Sequence, residues 1–177
     1  MKILLATLTP LALAAGLTAG ISVPAQADDR RCTGTIRGAS IDGDVVVPSG
    51  ATCTLTGTRI DGNVLVRSGA TLVARGVGVG GNVQAEGHEK VVVRHRSVDG
   101  KVTISRVGGS IQLEQGGGGE VRRSDVAGDV QLFSNDGQFV VRANVVDGNL
   151  QCKSNDPAPI GGGNTVGGNK EDQCAGL

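Results

Sequence analysis

Apolar residues along this chain come in pairs two positions apart, and the pairs return on a fixed period. The unit is a β-branched residue, any residue, Gly, a polar residue, then Val, Ile or Leu. It reads I-D-G-D-V from Ile41, I-D-G-N-V from Ile60, V-G-G-N-V from Val79 and V-D-G-K-V from Val98. Further copies start at Val107, Val126, Val146 and Val166, and most steps are 19 or 20 residues. A two-residue alternation is the signature of a strand with one face buried. A period this short marks a solenoid in which each copy is one coil.

Aligning copies at a step of 19 gives columns: Val45, Val64, Val83 and Val102; Val47, Val66, Ala85 and Ile104; Cys53, Leu72 and Val91; Leu55, Ala74 and Val93; Ile41, Ile60, Val79 and Val98. Each coil therefore holds about three short strands joined by corners. Successive coils stack in parallel about 4.8 Å apart. The expected fold is an all-β, single-domain parallel β-helix of about seven coils, roughly 35 Å long. The right-handed form is favoured, since a step of 19 is no multiple of the six-residue repeat of the left-handed type. The motif Gly is expected to adopt a backbone state costly to other residues. The polar residue after it forms a further column of Asp44, Asn63, Asn82, Lys101, Asp129, Asn149 and Asn169, suited to hydrogen bonding up the stack.

The period has one fault. Val98 and Val107 are nine residues apart, too few to close a coil, and Val98 to Val126 is 28. An enlarged coil is favoured over a half-coil slip across residues 98–126. Its strands fall near residues 102–104, 111–113 and 121–123, with Gly116 to Gly119 as a flexible looping corner. Loops on a rigid scaffold often carry function, which makes the stretch from Gln112 to Arg123 a candidate adhesion loop.

Composition changes the picture in three ways. The chain of 177 residues has no Trp, no Tyr and two Phe, so small aliphatic side chains must fill the interior. Its 30 Gly would suggest disorder without the period, and tight corners with it. Formal net charge is zero, which argues against a nucleic-acid partner. Residues 1–27 read as a secretory signal: Lys2, an apolar run, then Ala25-Gln26-Ala27 as a small-x-small cleavage site. The domain is expected to span residues 28–177, with no transmembrane segment after cleavage.

The four cysteines fall in pairs at the two ends. Cys32 and Cys53 are 21 apart and Cys152 and Cys174 are 22 apart, close to one coil. Neighbouring coils place such residues side by side, so disulfides Cys32–Cys53 and Cys152–Cys174 are predicted, each contributing about 3 kcal/mol. Export supplies the oxidising compartment. Ligands split between two ends cannot share one zinc.

Candidate chemistry is sparse. Asp42, Asp61 and Asp99 occupy one corner column, where stacked carboxylates suit calcium or, with Arg94 and Arg96, an acidic polysaccharide. Turn propensity makes solvated corner residues the plainer reading. His88 and His95 are expected in solvated turns. No nucleophile elbow or phosphate-binding loop is present, and no catalytic residue, metal or cofactor is assigned.

Residues 41–87 resemble the repeat of bactofilins, through the G-x-V-x-V pattern at Gly43–Val47 and Gly62–Val66. The resemblance implies a β-helix core that polymerises into filaments. Bactofilins are cytoplasmic, whereas this chain carries an export signal and paired cysteines, and no functional residue carries over. The reading is a secreted bacterial β-helix repeat protein, a non-enzymatic structural or interaction protein of the envelope or extracellular space. Two alternatives stand beside it: a carbohydrate-active protein, similar to pectate-lyase-like β-helices, that binds or cleaves an acidic polysaccharide, and an adhesion or ligand-binding module. Candidate partners are envelope polysaccharide or protein, or a second copy meeting the open solenoid ends.

Overall fold

The structure is a computed structural model and describes residues 29–177; the signal-peptide reading lies outside the described residues. Among these residues the regular structure is all strand, and no helix is long and apolar enough to cross a membrane. Three parallel sheets wrap one apolar interior. The first has eight strands, the second and third seven each, and the chain visits them in the same order on every coil. This is a parallel β-solenoid of seven complete coils with an eighth rung on the first sheet.

The inward columns follow the register expected from the sequence up to the fault. Val45, Val64 and Val83 are successive partners on the first sheet, and Cys53, Leu72 and Val91 on the second. One continuous core results, running from Cys32 to Cys174. Its side chains are mostly Val, Leu and Ile, which suit a pleated, closely stacked interior. The disulfides are Cys32–Cys53 and Cys152–Cys174, with Cα separations of 5.4 and 5.2 Å.

The fault is resolved as an enlarged coil, but the insertion sits elsewhere than expected. Strands Arg96–Val98 and Lys101–Thr103 pair antiparallel and form a hairpin outside the coil. Val98 and Val102 are 45% and 50% exposed, so neither belongs to an inward column. The Val79 column passes instead to Val107 and then Val126, and the Val83 column to Ile111 and then Val130. The copy at Val98 has the motif's letters but is a hairpin turn, with Asp99 and Gly100 at φ of 49° and 75°. Local pattern matched there while stacking did not.

Two glycine readings are also corrected. Gly116 to Gly119 do not form a flexible loop. Gly118–Arg122 is a strand of the second sheet, and a Cβ on Gly119 would run into the Val91 carbonyl oxygen. Gly119 lies between Val91 and Phe139 in the inward column, and the Phe139 ring approaches the space its side chain would take. The stretch from Gln112 to Arg123 is thus mostly strand and not the expected loop. The motif glycines, apart from Gly100 in the hairpin, have no positive φ. A Cβ on Gly81 would strike the Asn63 side-chain oxygen, and one on Gly109 that of Asn82. Close approach between rungs, not backbone conformation, demands Gly.

Candidate interaction face

The motif's polar column is a hydrogen-bonded ladder. The Asn63 backbone N–H donates to Asp44 Oδ1 at 2.7 Å, Asn82 to Asn63 at 2.8 Å and Ser110 to Asn82 at 2.8 Å. The series continues with Asp129 to Ser110 at 3.0 Å, Asn149 to Asp129 at 2.6 Å and Asn169 to Asn149 at 2.9 Å. Ser110, not Lys101, fills the fourth rung; Lys101 is in the hairpin.

The other two corners build a second kind of ladder in the C-terminal half. Each starts with a left-handed residue, such as Ser134, Ser154 or Ala143, which turns the next side chain inward. Asn144 accepts from Ser124 N–H at 3.1 Å and donates to the Val121 carbonyl at 2.8 Å and to Asn164 at 2.9 Å. Asn135 and Asn155 repeat this at the remaining corner, where Gln173 closes the stack. These Asn are buried and satisfy backbone groups that the corners would otherwise orphan.

His88 stands at the same corner two rungs from Asn135 towards the N-terminus, and its ring fills the space that a side chain on the intervening Gly116 would take. It is 2% exposed, which corrects the solvated-turn reading, and neither ring nitrogen has a hydrogen-bond partner. Its ring meets Phe139 edge-on at 5.9 Å. Burial lowers its pKa from 6.5 to about 4, with the Ala85 carbonyl pulling weakly the other way. His95 is half-buried, and desolvation followed by the charges of Arg123, Arg94 and Arg122 lowers its pKa.

The acidic candidates do not converge. Asp42 and Asp61 follow Ile41 and Ile60, which are register partners, so they stand on neighbouring rungs. Asp61 pairs with Arg59 at 3.0 Å. The column then passes through Gly80, Gly108 and Ala127, while Asp99 projects on the hairpin turn. Among the described residues no three His, Cys, Asp or Glu side chains gather as a metal site.

The basic candidates fare differently. On the outer face of the second sheet Arg75, Arg94, Arg122 and Arg142 are successive register partners, and Arg37 extends the column beyond Thr56. The hairpin brings Arg96 to the Thr56 rung: its Nη1 lies 3.2 Å from the place a Cβ on Gly57 would occupy. Glu120 is the acid in the neighbouring outward column, 3.1 Å from Arg94 and 3.4 Å from Arg122. Arg75 Nε is buried and has no partner. Beside the arginines run Val73, Val92, Glu120, Val140 and Ile160.

The outer face of the first sheet carries an amide ladder instead. Gln84 donates to Gln112 at 2.9 Å, Gln112 to Gln131 at 2.9 Å, Gln131 to Gln151 at 2.8 Å and Gln151 to Glu171 at 2.8 Å. Sequence reasoning missed both outward ladders because it followed inward apolar columns. Arg75 and Arg94 are 19 apart and Arg122 and Arg142 are 20, so the signal was present once the nine-residue insertion is removed. Comparison with protein-family models, with curated proteins and with solved structures gives no match.

Proposed function

We propose that this chain is a secreted, non-enzymatic structural or interaction protein of the bacterial envelope or extracellular space. The observation that carries the reading is the use made of its repeated polar residues. Asp44, Asn63, Asn82, Ser110, Asp129 and Asn149 each receive the backbone N–H of the next rung. That polar column is engaged in holding coils together, and the candidate carboxylates beside it do not converge: Asp61 pairs with Arg59, and Asp99 lies on the hairpin turn away from Asp42 and Asp61. Two disulfides fit a non-reducing compartment and brace the terminal coils of a rod whose outer faces are regular ladders.

The test is a product assay. Purified protein is incubated with acidic polysaccharides, alone and with calcium, and release of reducing ends and unsaturated products is followed. The reading predicts none above a boiled-protein control. Product release that disappears in Asp61→Asn would overturn it and establish the carbohydrate-active alternative.

A further inference from the structure

The arginine column on the second sheet has a geometry beyond that of a solvated face. Its members are neither scattered nor matched one-to-one with acids. Arg75, Arg94, Arg122 and Arg142 stand on four consecutive rungs, a spacing of about 4.8 Å set by the backbone. Arg37 lies two rungs below Arg75, and the hairpin places Arg96 beside the intervening Thr56 rung. A guanidinium binds a carboxylate through parallel donors.

Glu120 shows what a carboxylate does in this array. Its two oxygens sit 3.1 Å from Arg94 and 3.4 Å from Arg122, so one carboxylate bridges two successive rungs. No described ion pair does the same for Arg75, Arg142 or Arg37. Next to the arginines, Val73, Val92 and Val140 give apolar surface on the same strands, with Glu120 between Val92 and Val140. A carboxylated sugar chain presents this combination, with acidic groups along one edge and C–H faces beside them.

We propose that this column is a binding stripe for a linear polysaccharide bearing regularly spaced carboxylates, laid along the rod axis. The proposal rests on the interaction-protein reading above and names the partner's chemistry. Single-stranded nucleic acid would want aromatic platforms for its bases, and the chain has no Trp or Tyr; duplex DNA is separated from polysaccharide by the experiment below. The hairpin acquires a role: it returns an arginine to the rung where the column has Thr.

The experiment is equilibrium binding of the disulfide-intact protein to polygalacturonate, with dextran as the neutral control. Arg75→Gln/Arg94→Gln/Arg122→Gln/Arg142→Gln is compared with Arg30→Gln/Arg31→Gln/Arg59→Gln/Arg106→Gln, which removes the same charge elsewhere. Circular dichroism and thermal unfolding confirm that both variants fold; if the first does not, Arg142→Gln with Arg37→Gln serves in its place. The expected result is salt-sensitive binding to polygalacturonate and not dextran, weakened at least about tenfold by the stripe variant and little by the other. Equal weakening by both variants, tighter binding to polyphosphate or duplex DNA than to polygalacturonate, or no binding at all would overturn the stripe. None of these outcomes affects the non-enzymatic reading, which fails only if the polysaccharide is cleaved.

Discussion

Asn144 shows how a single side chain holds this fold. It is 1% exposed and serves the Ser124 N–H below, the Val121 carbonyl and the Asn164 side chain together. Asn144→Ala would leave two buried backbone groups without partners, and each such loss costs about 1–3 kcal/mol. A loss of about 3 kcal/mol is expected in a denaturant titration. The motif glycines meet a steric demand instead. Gly81→Ala would force a Cβ against Asn63 Oδ1 and the Gly62 carbonyl, and strain of about 1–3 kcal/mol should appear as a lower thermal midpoint. His88 sets a pH dependence. Its folded pKa, lowered to about 4, lies below the 6.5 of the unfolded chain, so the unfolded state takes up the proton first. The stabilisation is complete above pH 6.5 and declines as pH falls towards 4, by an amount on the order of 3 kcal/mol. Denaturant titrations at pH 7 and pH 4.5 should show a smaller decline in His88→Leu than in the parent.

At the scale of elements, the strands are short because each needs only to cross one side of a triangular coil. Inward columns were legible because Val, Ile and Leu recur two apart with nothing else available to fill the core. The Cys pairs were legible by the same count. The hairpin was not legible, because V-D-G-K-V satisfies the repeat letter by letter while its valines face solvent. Only stacking separates a corner from a hairpin turn, and stacking depends on what lies one coil away. Gly116 to Gly119 misled for the related reason that a gap in one coil is filled by Phe139 of the next. The candidate carboxylates were visible as a column but were interrupted by Gly80, Gly108 and Ala127, whereas the arginines were hidden by the insertion's shift of register. The insertion should be separable from the scaffold. Replacing residues 95–104 with a single Gly, as Gly76 serves the preceding coil, is expected to keep the far-ultraviolet spectrum and shift the thermal midpoint by only a few degrees. Loss of folding would mean the hairpin is part of the core.

Among the described residues the molecule is a one-dimensional stack. Outside the hairpin, each strand pairs with the same side of a neighbouring coil, so cohesion passes between neighbours and the first and last described coils have a partner on one side only. The disulfides join Cys32 to Cys53 and Cys152 to Cys174 at those terminal coils, where fraying would otherwise begin. Each is expected to contribute about 3 kcal/mol. A solenoid of this kind presents unbroken outward ladders, amides on one face and arginines on another, which a globular core of the same length would not align. The most direct test of this account is amide hydrogen exchange read by peptide before and after reduction of the disulfides. The account predicts that reduction accelerates exchange in residues 30–56 and 150–174 while the coils from 64 to 146 keep their protection. Uniform loss of protection along the chain, or acceleration confined to the middle coils, would contradict a stack stapled at its ends.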